Sequence, residues 1–513
     1  MLPENIEINE QFAYAYDLME NTSQHIFITG KAGTGKSTLL EYFRSKTSKN
    51  IVVLASTGVA ALNVEGQTIH SFFKFKTDIT YDKVKKIPRK KNLFKKLDAI
   101  IIDEISMVRA DLLDCIDKSL RLNCNNSLPF GGKQMIFFGD LYQLPPVVKT
   151  NEKEIFKEKY TTPYFFSANV MKEIEIKLIE LEKIYRQKDQ KFIEILNGIR
   201  NRSITDEMIE MLNQRYIPDF KPDKKAFFIY LATKNEIATR INRDRLNNIK
   251  GKIYKFVAEI EGKFEKTDYP TDDVLYLKKG AQIMLLNNDK KKKWVNGSVG
   301  RITDIDEDNE IISVELMNGK NVKVKRYSWE LFNYIYNKQK EKIETELIGR
   351  FNQFPIRLAW AVTVHKSQGK TFENIILDIK GGVFAPGQIY VALSRCTSLD
   401  GIVLKQRIGK KHIFVDWKII KFLTSYKYQQ AEKELSFDKK IEIIEKSIQQ
   451  NKDIEITYLK RNDETSVRTI KPEYVGEMDF MGKKFVALKG YCYKRNEDRI
   501  FRIDRIISIS QKE

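Results

Sequence analysis

Short apolar runs alternate with helical patterns along the first part of the chain. Four such runs, at residues 26–29, 51–55, 99–103 and 134–138, have the length and composition of buried strands. Segments with the apolar spacing of helices separate them. This alternation predicts an α/β fold built on a doubly wound parallel sheet, whose ligands bind at the carboxyl ends of the strands.

The pattern changes several times further along. Residues 73–96 form a basic insertion with no clear core face, which fits a solvated loop and a small subdomain touching nucleic acid backbone about equally well. A second α/β region opens near Leu178. Short strands and dense turn signals interrupt it at residues 251–345 and predict an inserted β-barrel. From Ser436, one helical pattern followed by short strands predicts a further small unit.

A phosphate-binding loop is the most specific local motif. Residues 30–37 read G-x-x-x-x-G-K-S, and they lie between a predicted strand and a predicted helix, as this motif requires. The glycines allow backbone N–H groups to surround a triphosphate at a helix N-terminus. We predict that Lys36 contacts the β- and γ-phosphates and that Ser37 binds Mg²⁺.

The predicted strand 99–103 ends in two adjacent carboxylates. Asp103 is a candidate Mg²⁺ ligand, and Glu104 is a candidate for polarising the attacking water. Phosphoryl transfer needs metal neutralisation and a positioned nucleophile more than it needs covalent chemistry. An acidic helix cap is the plain alternative, but the phosphate loop requires a metal partner and favours the catalytic interpretation.

Composition restricts the class of protein. A chain of 513 residues is too long to fold around a single hydrophobic core, so several domains are expected. The net charge of +20 favours a polyanionic partner. Four separated cysteines predict a reducing compartment without a disulfide framework or a zinc site. Neither a signal peptide nor a membrane-spanning run is apparent. We therefore expect a cytoplasmic protein.

A series of motifs in fixed order resembles the Pif family of superfamily 1 DNA helicases, in the branch that also contains RecD-type enzymes. The motifs are Gln11 and residues 30–38, 55–62, 68–72, 102–107, 129–132, 139–146, 185–187, 362–369 and 391–395. Residues 111–146 are similar to the signature that separates the Pif family from its RecD relatives. The resemblance covers about residues 5–430.

The resemblance implies a nucleotide site for ATP and Mg²⁺. Gln11 is similar to the adenine-reading glutamine, and Gln143 to the residue that senses the γ-phosphate. Arg186 and Arg395 match two arginine fingers, a role that suits a planar, permanently charged group. The implied phosphate-loop residues are Gly33, Thr34, Gly35, Lys36, Ser37 and Thr38.

The resemblance also implies contacts with single-stranded DNA. Hydroxyls and backbone amides hold phosphates in such sites, and rings stack on bases without reading sequence. The implied residues are Thr57, Gly58, His70, Ser71, Phe72, Thr363, His365 and Lys366. Each ring taken alone would more often belong to a core, but its place beside the nucleotide motifs favours the DNA role.

The C-terminal unit resembles a WYL domain, a module associated with bacterial regulators and with nucleic acid or nucleotide ligands. The eponymous triplet is altered, because residues 485–488 read Phe-Val-Ala-Leu. Phosphate contacts and structural ion pairs are equally good interpretations of its arginines. The arginines in question are Arg468, Arg499, Arg502 and Arg505.

Four parts are therefore predicted. They are a RecA-like domain at residues 1–177, a second RecA-like domain at 178–250 and 346–430, a barrel similar to a Src-homology-3 fold at 251–345, and a WYL-like domain at 436–513. The resemblance implies a nucleoid-associated monomer that moves 5′-to-3′ on single-stranded DNA, acts at junctions with duplex, and is a candidate for G-quadruplex unwinding. A DNA-binding regulator switched by its ATPase, or a translocase without strand separation, is the alternative.

Overall fold

The computed structural model describes residues 8–76, 78–148, 152–187, 189–223, 226–380, 382–383, 385–480 and 482–512. The chain divides into two compact units, one of Met1–Leu196 with Thr205–Ile413 and one of Asn197–Ile204 with Phe414–Glu513. Within the described ranges, every helix is too short or too polar to span a bilayer.

A six-stranded parallel sheet forms the first half of the larger unit. Its strands are β1 (His25–Gly30), β2 (Ile51–Ala55), β3 (Gln67–Thr68), β4 (Ala99–Asp103), β5 (Gln134–Phe138) and β6 (Ile176–Leu181). They lie in the order β3-β2-β4-β5-β1-β6. The central strands are almost wholly buried because helices cover both faces, which explains their continuous apolar runs.

Helices connect these strands. They are α1 (Glu10–Asn21), α2 (Lys36–Lys46), α3 (Gly58–Asn63), α4 (Ile69–Phe73), α5 (Lys91–Lys96), α6 (Ala110–Cys124) and α7 (Lys153–Lys159). Side chains of α1 and α2 pack on β1 and β6 in a core that includes Leu39, Phe43 and Ile179. The phosphate loop, the paired carboxylates and residues 57–58 lie at the carboxyl ends of strands, whereas Gln11 lies on α1, before β1.

The basic insertion at residues 73–96 packs against α6. It contains two short 3₁₀ turns, Tyr81–Lys83 and Pro88–Lys90, followed by α5. Val84, Leu93 and Phe94 are buried within it. The insertion therefore has a core face that the sequence pattern did not reveal, and a fully solvated loop is the wrong description.

After α8 (Gln190–Arg200) and α9 (Asp206–Asn213), the chain enters a second parallel sheet at β7 (Ile229–Ala232), which α10 (Asn235–Asn247) follows. A long β-rich insertion comes next. Its strands are β8 (Tyr254–Val257), β9 (Glu259–Gly262), β10 (Val274–Leu277), β11 (Gln282–Leu285), β12 (Val299–Asp306), β13 (Ile311–Leu316), β14 (Asn321–Val324), β15 (Tyr327–Asn337), β16 (Lys342–Gln353) and β17 (Ile356–Leu358).

The second sheet resumes with β18 (Ala361–Thr363), β19 (Ile375–Asp378) and β20 (Ile402–Leu404), in the parallel order β18-β7-β19-β20. Helix α11 (Gln388–Leu393) lies between β19 and β20. The insertion itself contains the five-stranded sheet β14-β13-β12-β11-β17 and the three-stranded sheet β15-β16-β9.

The smaller unit consists of two helices and an antiparallel sheet, together with residues 197–204. The helices are α12 (Trp417–Glu434) and α13 (Phe437–Gln449). The strands β21 (Ile454–Leu459), β22 (Thr465–Phe480), β23 (Lys483–Cys492), β24 (Glu497–Arg502) and β25 (Ile506–Gln511) lie in the order β24-β23-β22-β21-β25. Ile444 of α13 is fully buried in the core of this sheet.

Three predicted domain boundaries differ from the structure. The boundary at residue 177 cuts β6, which pairs with β1 over six residue pairs. The insertion continues past residue 345 to β17, because β17 pairs with β11. Residues 414–430 group with the smaller unit and not with the second sheet. Apolar runs indicate strands and helices, but they do not indicate which partner each one pairs with.

Candidate nucleotide and DNA sites

The predicted phosphate loop connects β1 to the first turn of α2. Gly33 and Gly35 have left-handed φ angles of +84° and +85°. Lys36 Nζ donates hydrogen bonds to the carbonyl oxygens of Gly30 at 2.7 Å and Lys31 at 2.9 Å. The Lys36 ammonium and the loop therefore lie together at the N-terminus of α2, where the helix dipole favours an anion.

The remaining loop residues differ in exposure. Thr34 is buried, and its hydroxyl donates to the carbonyl oxygen of Lys31 at 3.0 Å. Thr38 is half-buried, whereas Ser37, a predicted metal ligand, is exposed. In the part of the chain that the structure describes, no group of three or more His, Cys, Asp or Glu side chains is placed to hold a metal ion.

Asp103 and Glu104 lie together where β4 ends. The Asp103 carboxylate accepts a hydrogen bond from the backbone N–H of Glu104 at 2.9 Å. Burial raises the pKa of both carboxyls, the neighbouring Asp103 raises that of Glu104 further, and the Lys36 ammonium opposes both increases. Lys36 therefore connects the loop to the carboxylates electrostatically.

Two glutamine side chains connect Glu104 to the second sheet. Gln368 Nε2 donates to Glu104 Oε2 at 3.0 Å and to Gln143 Oε1 at 3.2 Å. Gln143 Nε2 in turn donates to Asp140 Oδ2 at 3.2 Å. Sequence reasoning predicted Gln143 but missed Gln368, although its place near the end of the 362–369 motif was a usable signal.

The two predicted arginine fingers contact the same residue. Arg186 Nη1 donates to the Ser394 carbonyl oxygen at 3.2 Å, and Arg395 Nη2 donates to the Ser394 hydroxyl at 3.0 Å. Arg395 is only 1% exposed. Burial lowers its pKa to about 9, with Arg186 adding to the decrease. Two neighbouring cations in a desolvated site favour the approach of an anion.

The phosphate loop touches residues that follow the first sheet. A Cβ placed on Gly33 would lie 2.5 Å from Arg186 Cβ, so a side chain there would displace Arg186. The backbone N–H of Ala32 donates to the hydroxyl of Tyr390, on α11, at 2.9 Å. Loop, arginine and α11 therefore form one contact region.

Helix α11 also begins in close contact with the Gln143 turn. Gly387 precedes the helix with a φ of +74°. A Cβ on Gly387 would lie 2.3 Å from the Tyr142 carbonyl oxygen and 2.7 Å from that of Gln143. Only glycine fits this close approach with a left-handed backbone.

We predict that Gly387→Ala lowers the thermal midpoint of unfolding more than Gly382→Ala does. Gly382 also has a left-handed φ, of +84°, but a Cβ there would meet nothing within 4 Å. Both variants carry the backbone penalty of about 1–2 kcal/mol, and Gly387→Ala adds the steric overlap, about 1–3 kcal/mol. Equal midpoints in differential scanning calorimetry would contradict the close approach.

Gln11, the predicted adenine-reading residue, lies on α1. Its Oε1 accepts a hydrogen bond from the backbone N–H of Glu182 at 3.0 Å. Tyr185 lies beside the phosphate loop, with its ring 3.7 Å from a Cβ placed on Gly35. Tyr185 is 45% exposed, and sequence reasoning named it only as part of a motif.

Two predicted DNA-contacting residues lie where β2 ends. Thr57 caps α3, and its hydroxyl accepts a hydrogen bond from the backbone N–H of Ala60 at 3.3 Å. Gly58 lies against the β-rich insertion, because a Cβ there would lie 2.4 Å from Asp268 Oδ1. Thr57 is exposed and Gly58 half-buried.

His70 and Ser71 lie at the start of α4 and are half-buried. The Ser71 hydroxyl accepts a hydrogen bond from Gln67 Nε2 at 3.0 Å. Burial lowers the pKa of His70, which favours the neutral ring. A neutral half-exposed ring can stack on a base, so this position is compatible with its predicted role.

Phe72 is not available for stacking, and this prediction is wrong for the structure. Its side chain is fully buried. The ring packs edge-on against Phe73 at 4.9 Å and Phe94 at 5.5 Å, and Lys90 Nζ lies 4.7 Å from its centre. Its neighbours already occupy the ring surfaces that a base would need.

The predicted residues Thr363, His365 and Lys366 share one turn after β18. Thr363 is only 4% exposed, and its hydroxyl accepts a hydrogen bond from the backbone N–H of Lys366 at 3.3 Å. His365 is half-buried and the Lys366 side chain is exposed. Thr363 therefore shapes the turn, and Lys366 is the side chain that the turn presents.

Two of the C-terminal arginines form ion pairs with neighbouring carboxylates. Arg499 Nε lies 2.6 Å from Glu497 Oε1, and Arg502 Nη2 lies 2.6 Å from Asp504 Oδ2. Arg468 is buried instead, at 7% exposure. For Arg499 and Arg502 the structure therefore favours the ion-pair interpretation, although exposed pairs of this kind add little stability.

Comparison with known proteins identifies the family. A model of the PIF1-like helicase family matches residues 7–210. The ATP-dependent DNA helicase Pif1 of Bdellovibrio bacteriovorus is 31% identical over 439 residues, which cover 82% of this chain and 92% of that protein. The chain belongs to the PIF1-like helicase family. It spans 60% of the PIF1 helicase of Emericella nidulans, with 31% identity over 461 residues and 78% of this chain covered.

Solved structures of this helicase family share the fold. Bacteroides Pif1 in complex with ADP-AlF4 is 38% identical, covers 83% of this chain and 98% of its own, and superposes with a TM-score of 0.77. The same relative bound to single-stranded DNA, with the same identity and coverage, gives 0.61. The predicted α/β class with a RecA-like parallel sheet is confirmed.

The smaller unit is assigned in the same way. A WYL domain model matches residues 439–511. The altered triplet at residues 485–488 lies on β23, within the antiparallel sheet. The predicted WYL domain is therefore confirmed, and this PIF1-like helicase carries it at the C-terminal side of its helicase region.

Proposed function

We propose that this PIF1-like helicase hydrolyses ATP to move 5′-to-3′ along single-stranded DNA and to separate duplex ahead of it. The contact of Gln368 with both Glu104 and Gln143 supports this proposal most strongly. It connects the turn that carries Lys366 to the candidate catalytic carboxylate. A protein that used its ATPase only as a switch, without moving along DNA, would not need this connection.

The nucleotide would lie against the phosphate loop, with Lys36 on its β- and γ-phosphates and Gln11 beside the adenine. Ser37 and Asp103 offer one hydroxyl and one carboxylate oxygen, which are hard ligands of the kind that Mg²⁺ prefers alongside phosphate oxygens. When bound, Mg²⁺ would neutralise charge on the phosphates. Glu104 would then polarise the attacking water.

Arg186 and Arg395 would stabilise the charge that develops on the γ-phosphate. Both are held by Ser394, and Arg186 also adjoins the phosphate loop at Gly33. A guanidinium can bind two phosphate oxygens at once. Gln143 would report the state of the γ-phosphate to the second sheet through Gln368.

The strand of DNA would pass over the carboxyl ends of both sheets. The residues proposed to contact it are Thr57, Gly58, His70, Ser71, Thr363, His365 and Lys366. Backbone, hydroxyl and ammonium groups would hold phosphates, and the histidines would stack on bases. The net charge of +20 favours such a polyanion. Single-strand/duplex junctions and G-quadruplex DNA are the proposed substrates.

The deciding experiment is ATP-dependent displacement on matched duplexes with a 5′ or a 3′ single-stranded tail. We predict displacement only from the 5′ tail, by a protein that remains monomeric in sedimentation. Displacement only from the 3′ tail would contradict the polarity. DNA-stimulated hydrolysis without displacement from either tail would favour one of the two alternatives. These are a translocase that does not separate strands, and a regulator in which the WYL domain recognises the DNA.

A further inference from the structure

Gln368 lies between the DNA-facing turn and the nucleotide site. We propose that Gln368 is a positioning residue that transmits DNA binding to ATP hydrolysis by orienting Glu104 and Gln143. The inference deepens the proposed function and rests on it. It assigns to one side chain the coupling between a DNA strand on the Lys366 turn and the hydrolysis step.

The orientation of both amides follows from their neighbours. The Asp140 carboxylate only accepts hydrogen bonds when ionised, so Gln143 must turn its Nε2 toward Asp140 and its Oε1 toward Gln368. Gln368 must then present Nε2, which also satisfies Glu104. A flipped Gln368 amide would place oxygen against oxygen at both partners. The network therefore has one consistent arrangement.

The turn does not depend on the Gln368 side chain for its closure. The backbone N–H of Gln368 bonds to the His365 carbonyl oxygen at 3.2 Å. Thr363 and Lys366 close the other part of the turn through the Thr363 hydroxyl. The amide side chain is therefore committed to the catalytic carboxylate, and a turn-forming role does not explain its contacts.

Lys366 lies two residues before Gln368 in the same turn. A phosphate that engages Lys366 would therefore act on Gln368 through two peptide units, without a long pathway. Glu104 also has a left-handed backbone, with φ of +50°, an uncommon conformation for a residue other than glycine. The Gln368 amide donates a hydrogen bond to the Glu104 carboxylate, and a misplacement of a catalytic group by about 1 Å can cost on the order of 10²-fold in rate.

The test compares the ratio of ATP hydrolysis with and without saturating single-stranded DNA in full-length wild type and Gln368→Ala. We expect the ratio to fall about tenfold or more, while the KM for ATP and the Kd for DNA change less than about threefold. A raised DNA-free rate would mean that the bond restrains Glu104, and a lowered DNA-stimulated rate would mean that it aims Glu104. Either result supports coupling, and an unchanged ratio overturns it.

Gln368→Glu separates positioning from packing. This variant keeps the size of the side chain but places a second carboxylate against Glu104, where like charges repel. We expect a loss of stimulation at least as large as with alanine. Full stimulation in Gln368→Glu would show that the hydrogen bonds do not matter and would overturn the proposal.

Lys366→Ala is the matched comparison on the same turn. We expect it to raise the DNA concentration needed for half-maximal stimulation, whereas Gln368→Ala lowers the maximum itself. Failure of the proposed function is distinguishable, because wild type would then show no DNA stimulation at all. Stimulated wild type with an unaffected Gln368→Ala ratio would reject only the present inference.

Discussion

Lys36→Ala is expected to abolish ATP hydrolysis while leaving most of the single-stranded DNA affinity. Its ammonium lies at the N-terminus of α2, over the carbonyl oxygens of Gly30 and Lys31. Burial raises the pKa of both Asp103 and Glu104, and the Lys36 ammonium opposes this increase. Removing one preorganised charged donor from such a site costs about 10²–10³-fold in turnover, and the loss of charge balance at the carboxylates adds to this.

The measurement is steady-state hydrolysis with saturating DNA, together with fluorescence anisotropy of a labelled strand. Lys31→Ala is the matched control, because it removes the same charge from the same loop at a variable position of the motif. We expect Lys31→Ala to hydrolyse ATP within about tenfold of wild type. Normal turnover in Lys36→Ala, or equal losses in both variants, would disprove the phosphate-loop assignment.

The parallel sheets could be predicted because buried strands have a recognisable local pattern in the sequence. Strands covered on both faces must be apolar at consecutive positions, and four strands of the first sheet lie within one residue of their predicted ends. The phosphate loop and the paired carboxylates were predictable for a similar reason. Their chemistry needs fixed residue types at fixed spacing, so sequence alone carries the signal.

Contacts between elements that are far apart in the sequence produce no such local pattern. The hairpin of β15 and β16 reaches the first sheet, where Val53 N–H donates to the Tyr334 hydroxyl at 3.1 Å. Asn333 on the same hairpin accepts a hydrogen bond from Lys90 Nζ at 2.9 Å. Periodicity reports the faces of each element but not the element that covers them. The domain boundaries failed at β6 and β17 for the same reason.

Within the candidate site, Phe72 and Gln368 show two ways in which a motif alone misleads: it suggested a role for a buried side chain, and it did not single out a side chain that contacts the site. Phe72 lies in a motif predicted to contact DNA, yet its ring is part of an aromatic core. Gln368 has an ordinary polar side chain, yet it touches two catalytic candidates. A motif identifies the segment of the chain that forms the candidate site. Only the packing shows which side chains of that segment point at the chemistry.

Arg395→Ala is expected to retain nucleotide binding and to lose hydrolysis by about 10³-fold or more, as for arginine fingers in other phosphoryl-transfer enzymes. The guanidinium is held by the Val391 carbonyl oxygen and the Ser394 hydroxyl. Burial and the neighbouring Arg186 lower its pKa to about 9. A desolvated guanidinium can bind two phosphoryl oxygens at once, and we expect this contact to strengthen as charge redistributes over those oxygens in the transition state.

Because Arg395 is buried, its truncation also removes hydrogen bonds from the Val391 and Ser394 region. Arg395→Lys keeps the positive charge but cannot bind two phosphate oxygens at once, so we expect it to hydrolyse ATP slowly in a protein that melts near the wild-type temperature. Binding of a fluorescent ATP analogue and single-turnover hydrolysis separate the two steps. Weakened binding with normal single-turnover hydrolysis in Arg395→Lys would demote Arg395 from the catalytic step to the binding of ground-state nucleotide.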